Sequence, residues 1–175
     1  WTAINDGAVI YQGGDNYTLA AESNTLYAKW KKNQYTIEFD LNGGTGIDTE
    51  ITGYYGDTIP WHPNPTREHY TFDGWYNKED GAKFDTATTT TMPDLGIDGV
   101  SITLVAKWVP DSYNIVYKDA DGSDLTVAGN PSSYTYETPD FTLKNPTKKG
   151  YTFKGWTGSN GNTADTSVTV TKGST

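Results

Sequence analysis

Pro65-Thr66-Arg67-Glu68-His69-Tyr70-Thr71-Phe72-Asp73-Gly74-Trp75 returns in register as Pro146-Thr147-Lys148-Lys149-Gly150-Tyr151-Thr152-Phe153-Lys154-Gly155-Trp156. The shared skeleton is P-T-x-x-x-Y-T-F-x-G-W, and self-similarity of this kind marks a chain built from tandem units. A second pair lies on either side of the first copy: Leu26-Tyr27-Ala28-Lys29-Trp30 matches Leu104-Val105-Ala106-Lys107-Trp108, and each is followed five residues later by a tyrosine, Tyr35 and Tyr113. Trp30 to Trp108 and Tyr35 to Tyr113 both span 78 positions, so two markers give one period. Smaller markers agree. Trp1 and Trp75 precede Asp6-Gly7-Ala8 and Asp80-Gly81-Ala82 at the same spacing, and Tyr55 and Tyr136 each stand ten positions before a Pro-Thr pair. The spacing divides the chain into the C-terminal half of a repeat (1–30), a complete repeat (35–108) and a repeat lacking its last strand (113–175), with short linkers at Lys31–Gln34 and Val109–Ser112. This phase reads as a piece cut from a longer array.

The local pattern within each unit is β. Tyr35-Thr36-Ile37-Glu38-Phe39-Asp40-Leu41 places an apolar residue at every second position, the period of a strand with one face in a core. Asn42-Gly43-Gly44 follows with residues that tolerate positive φ. Tyr113, Ile115 and Tyr117 repeat the alternation before Asp119-Ala120-Asp121-Gly122, and Ile102, Leu104, Ala106 and Trp108 form a closing strand. In Tyr70–Trp75 the alternation slips by one at Gly74, which predicts a bulge that returns Trp75 to the core side. A short helix is expected only around Asp85–Thr91. The fold class is therefore mainly β, or α+β, with a core of Tyr35, Ile37, Phe39, Tyr70, Phe72, Trp75, Leu104 and Trp108. Rings suit so small a unit, because burying one Trp or Tyr removes about 150–250 Å² from water.

Composition narrows the function. The 175 residues are 34% hydrophobic, yet 14% aromatic, with 13 Tyr and 6 Trp, which argues against disorder. A net charge of -9 disfavours nucleic acid, whose phosphates need clustered cations. Residues 35–108 carry 12 acidic and 4 basic side chains, whereas 1–34 balance at 3 and 3 and 113–175 at 6 and 6. A face shared by every copy should carry similar charge in each, so this acidity reads as a solvated surface. There are no cysteines, which excludes disulfides, thiol catalysis and Cys-ligated zinc. No apolar run approaches a membrane span, and neither a signal peptide nor a lipidation signal is visible.

The string Tyr35-x-Ile37-x-Phe39-Asp40-x-Asn42-Gly43-Gly44, the P-T-R-x-x-Y-T-F-x-G-W block and the terminal L-x-A-K-W together resemble the Listeria–Bacteroides repeat, also called the internalin-type B repeat. The third unit departs at Asp119-Ala120-Asp121-Gly122, where it looks more like the mucin-binding-protein repeat. The resemblance implies tandem small β-grasp (ubiquitin-like) units on an exported bacterial cell-surface protein, acting as spacers or adhesion modules, with no catalytic residues in the family to carry over.

No catalytic, cofactor-binding or metal-ligating residue is assigned, and no cofactor is expected. His62 and His69 are the only histidines and read as loop residues rather than a two-His metal site. Asp119–Asp124 has its glycine fourth, where an EF-hand loop has it sixth, so a hairpin turn is the better reading. No nucleophile elbow or phosphate-cradling loop is present, and Gly13-Gly14 and Gly43-Gly44 read as turns. A Lys–Asn isopeptide crosslink stays open, and an intact mass one ammonia low would reveal it. Tyr11, Tyr17, Tyr54, Tyr76, Trp61 and Tyr134 lie outside the clearest core positions. They serve unit–unit junctions and sheet edges, or alternatively form a carbohydrate- or mucin-binding platform for a host glycan or host protein. Residues 21–30, with Leu26, Ala28 and Trp30, are expected to fill the strand vacancy of the third unit in a neighbouring molecule.

Overall fold

The computed structural model describes residues 13–16, 18, 25–158 and 161–174. Its strands are β1 (Gln34–Asp40), β2 (Glu50–Tyr54), β3 (Tyr70–Asn77), β4 (Lys83–Phe84), β5 (Ser101–Pro110), β6 (Ser112–Asn114), β7 (Ser133–Thr135), β8 (Phe141–Thr142), β9 (Trp156–Gly158), β10 (Gly161–Asp165) and β11 (Thr169–Val170). No helix occurs among the described residues, so the class is mainly β and the expected helix at Asp85–Thr91 is corrected to a single turn. The cause is local. The Asp85 carboxylate accepts the N–H groups of Ala87 (2.9 Å) and Thr88 (3.3 Å), and Thr89 N–H closes on the Asp85 carbonyl (3.0 Å). Thr91 then pairs with Thr58, which draws the chain into extended structure before a second turn forms.

Strands β1 to β5 form a sheet in the order β2-β1-β5-β3-β4. β1 pairs antiparallel with β2, Ile37 opposite Ile51, and β3 pairs antiparallel with β5. The predicted bulge is present. Phe72 faces Trp108 and Gly74 faces Lys107, so Asp73 is the extra residue, and Gly74 takes φ 135° to make the bend. Trp75 is consequently buried opposite Ala106 and Phe84.

The contacts divide the chain into two compact units. In the first, formed by residues up to Glu38 with 50–61 and 85–102, the buried residues are Tyr35, Ile37, Ile51, Ile59 and Met92. In the second, formed by 39–49, 62–84 and 103–175, they are Phe39, Pro65, Trp75, Leu104, Ala106 and Val127. Of the expected core, Tyr70, Phe72 and Trp108 are half-buried. Trp108 instead lies in a slot over Gly44, where a Cβ would collide with its indole, and its Nε1 donates to the Leu41 carbonyl at 3.1 Å. Glycine at 44 is a space requirement there rather than a turn requirement.

The stretch 113–175 forms three separate two-stranded pieces, β6 with β7, β8 with β11 and β9 with β10. The strand expected over Tyr113–Tyr117 stops at Asn114. Tyr11, Tyr17 and residues 21–24 lie outside the described residues, and Leu26, Ala28 and Trp30 are exposed.

Candidate functional site

The best-built polar and aromatic cluster joins the end of one repeat to the start of the next. β5 runs to Pro110 and β6 begins at Ser112, so the sequence linker continues as extended chain. Asp111 anchors it: its N–H donates to the His69 carbonyl (2.9 Å), and its Oδ1 accepts the Thr71 hydroxyl (2.8 Å). His69 sits in the turn before β3 with φ 65°, a left-handed backbone state uncommon outside glycine but one that histidine adopts more readily than most residues. The equivalent residue in the next repeat, Gly150, has φ 80°, so the turn is common to both copies and only one of them places a ring on it.

That ring closes the junction. His69 stacks on Tyr136 with centroids 4.4 Å apart and planes at 14°, and its Nδ1 lies 2.9 Å from the Tyr113 hydroxyl. Tyr70 donates its hydroxyl to Glu137 Oε1 at 2.8 Å and meets Tyr136 edge-on at 6.1 Å. The Arg67 guanidinium lies 3.9 Å over the other partner of that edge contact, the Tyr70 ring, while Tyr113 packs on Tyr134 at 5.5 Å. The bond to Glu137, with burial, raises the Tyr70 phenol above its ordinary value, and burial, with the charge of Asp111, does the same for Tyr113. Ring pairs of this geometry contribute about 0.5–1.5 kcal/mol each beyond their burial, and a net hydrogen bond about 0.5–1.5 kcal/mol. These contacts tie the turn before β3 and the start of β3 to Asp111, Tyr113, Tyr136 and Glu137 of the following segment.

The other sequence candidates separate. His62 packs edge-on against Phe39 at 5.9 Å beside a shallow open cleft of Gly46, Ile47, Asp48 and Pro63, with its Nε2 buried and without a hydrogen-bond partner. Among the described residues no group of three or more His, Asp or Glu is placed to hold a metal ion. The acids of 119–124 serve a hairpin: Asp119 pairs with Lys148 (2.7 Å), Asp124 with Lys118 (2.5 Å), and Asp121 accepts the Ser123 N–H (2.9 Å). These contacts hold the three carboxyls below the usual carboxylate range. Of the candidate sugar-binding rings, Trp61 donates Nε1 to the Thr89 carbonyl (2.8 Å), Tyr76 bonds Asp73 (2.7 Å) beneath Lys107, and Tyr134 packs on Tyr113. Tyr54 and its neighbour Tyr55 remain exposed. Sequence reasoning missed Tyr136 and Glu137 as junction residues. The available signal was the exchange of His69 for Gly150 at an otherwise matched position.

The sequence profile of the Listeria-Bacteroides repeat domain matches residues 35–107 and 113–175. The chain belongs to this repeat family. It is similar to a putative Gly-rich membrane protein of Evansella cellulosilytica, 31% identical over 162 residues that make up 89% of this chain and 17% of that protein. A putative membrane protein of the same organism is 33% identical over 145 residues, 79% of this chain and 20% of the relative. Internalin H of Listeria monocytogenes is 37% identical over 123 residues, 70% of this chain and 20% of the relative. The chain thus spans a fifth or less of the length of these relatives.

Proposed function

We propose that this chain is a non-enzymatic spacer segment of a bacterial cell-surface protein, in which tandem β-grasp units are locked end to end to project another part of the protein away from the cell. The observation that carries the reading is the clasp of His69 and Tyr70 on Tyr113, Tyr136 and Glu137: a flexible string of beads has no use for a ring-stacked joint with two side-chain hydrogen bonds across so short a linker. The sheet order β2-β1-β5-β3-β4, with the first and last long strands adjacent at its centre, supports the ubiquitin-like reading, with loop in place of the helix such units usually lay on the sheet. The membrane and internalin relatives support an extracellular, cell-wall-associated setting.

The alternative, an adhesion module that binds host glycan or host protein, draws its support from the exposed Tyr54 and Tyr55. Binding of the full chain to glycan and mucin arrays separates the two. The spacer reading expects no saturable binding above an unrelated acidic protein; saturable binding lost in Tyr54→Ala/Tyr55→Ala replaces it with adhesion.

A further inference from the structure

The five-stranded sheet ends on β2, which lies with residues 34–38 of β1 in the first compact unit. β1 and β2 pair antiparallel, with Thr36 opposite Thr52 and Glu38 opposite Glu50. Opposed residues in such a ladder alternate between bonded and non-bonded pairs. Thr36 sends its N–H away from β2, to the Val100 carbonyl at 3.2 Å, so Thr36–Thr52 is a non-bonded pair and, two residues along, so is Glu38–Glu50. The N–H and C=O groups of Glu50 and Thr52 therefore point off the sheet. Tyr54 has the same phase, and its own turn takes up its groups: the N–H donates to the Asp57 carboxylate (3.2 Å) and the carbonyl accepts the Asp57 N–H (2.9 Å). Among the described residues nothing takes up those of Glu50 and Thr52.

Open backbone groups on a sheet edge are a template for an added strand. Side-chain chemistry selects what can be added. Glu50, Thr52 and Tyr54 face the open side of the sheet, while Ile51 between them is buried. Glu50 is exposed, has no ion-pair partner among the described residues and stands opposite a second carboxylate, Glu38. Thr52 shares a hydrogen bond with the Thr36 hydroxyl (2.9 Å), and Tyr54 presents its ring at 44% exposure. A second copy of β2 would gather four carboxylates on this face, and like charges across paired strands oppose self-pairing. A basic strand instead sets one cation beside Glu50 and another over the Tyr54 ring.

We propose that the outer edge of β2 docks an extended, basic segment of a partner protein, which adds a sixth strand to the sheet. The bonded stretch covers Glu50 and Thr52 and stops at Tyr54, whose backbone is already taken up by its turn. Every second residue of the incoming strand faces the open side, so the recognised pattern is a basic residue at alternate positions, the first beside Glu50 and the last on Tyr54. The intervening residues face the side of Ile51 and of Met92, whose methyl lies against Gly53, and apolar side chains suit them. The inference is independent of the spacer reading.

The probe is acetyl-Lys-Val-Lys-Val-Lys-amide, titrated into the nitrogen-labelled full chain and followed by NMR. The Glu50 and Thr52 amide signals should shift saturably, with the apparent affinity falling more than ten-fold in Thr52→Pro and in Glu50→Lys. Proline at 52 closes the edge without removing a ladder bond, because that N–H points outward; Glu50 is exposed, so Glu50→Lys gives the same reading should proline disturb the strand. A peptide of the same charge with every backbone nitrogen methylated, and the acidic acetyl-Glu-Val-Glu-Val-Glu-amide, should both fail to bind. The proposal is overturned by the absence of a saturable shift at Glu50 and Thr52, by equal binding of either control peptide, or by an affinity indifferent to both substitutions. Shifts of the same two amides on concentrating the chain alone would give the edge to a second copy and overturn it too.

Discussion

Replacing Trp75 by alanine removes the ring around which the complete repeat is packed. Trp75 is 6% exposed, is flanked by Phe39 and Phe72, and lies on the strand that bonds both β4 and β5. Burial of a ring of about 150–250 Å² at about 25 cal/mol per Å² gives about 4–6 kcal/mol. Measured truncations of buried Phe and Trp cost about 3–5 kcal/mol, since the surroundings relax into the gap. A unit of this size holds about 4–11 kcal/mol in all. The substitution therefore consumes a large share of its stability and lowers its melting temperature by about 12 °C or more. Urea unfolding followed by circular dichroism, which does not rely on the deleted fluorophore, is the assay. Trp30→Ala and Thr89→Ala are the controls: Trp30 is exposed, and Thr89 offers its backbone carbonyl, not its side chain, to Trp61. Both should move the midpoint by about 0.5 kcal/mol or less. Equal midpoints for Trp75→Ala and either control would refute the assignment of the core.

Gly44→Ala should destabilise the same repeat by about 1–3 kcal/mol and shift the Trp108 emission, because the new methyl enters the indole slot; Gly13→Ala, with no atom near its Cβ position, should be silent by the same fluorescence and urea measurements. Lys32 holds the Asp57 carboxyl, and Lys31 the Asp98 carboxyl, below the usual carboxylate range, so their contribution is present above the unfolded value of about 3.9 and is lost as pH falls through the lower folded values. Melting temperature against pH should therefore drop on acidification, less steeply in Asp57→Asn and Asp98→Asn; parallel curves would contradict the pairing. Burial, reinforced by the bond to Asp94, raises the Tyr35 phenol, so its contribution holds below about pH 10 and fades as pH rises further. Tyr35→Phe should cost about 0.5–1.5 kcal/mol at neutral pH and flatten that alkaline loss in the same melting series.

The sequence was most legible where a single segment carries its own periodicity. Tyr35, Ile37 and Phe39 alternate and are buried, and the slip at Gly74 marks the bulge that the β3–β5 register contains. Ile51, Ile59 and Met92 escaped because their burial depends on irregular chain: Met92 N–H bonds the Asp57 carbonyl and Ile59 N–H the Thr90 carbonyl, contacts with no period to read. Thr-rich 85–91 misled in the other direction, since the capping signal of Asp85 is real but is spent on one turn. The junction was least visible. Tyr70 and Glu137 stand 67 positions apart, and Tyr136 first reads as a repeat marker matched to Tyr55 rather than as the floor under His69.

The clasp can be measured across itself. The chain has no cysteine, so Glu79→Cys and Lys149→Cys, both exposed, accept spin labels cleanly on either side of the junction. Double electron–electron resonance should return one narrow distance distribution that broadens when Tyr136→Ala or His69→Ala removes the stack. A broad distribution in the unaltered chain, or a narrow one indifferent to both substitutions, would contradict the locked-spacer account.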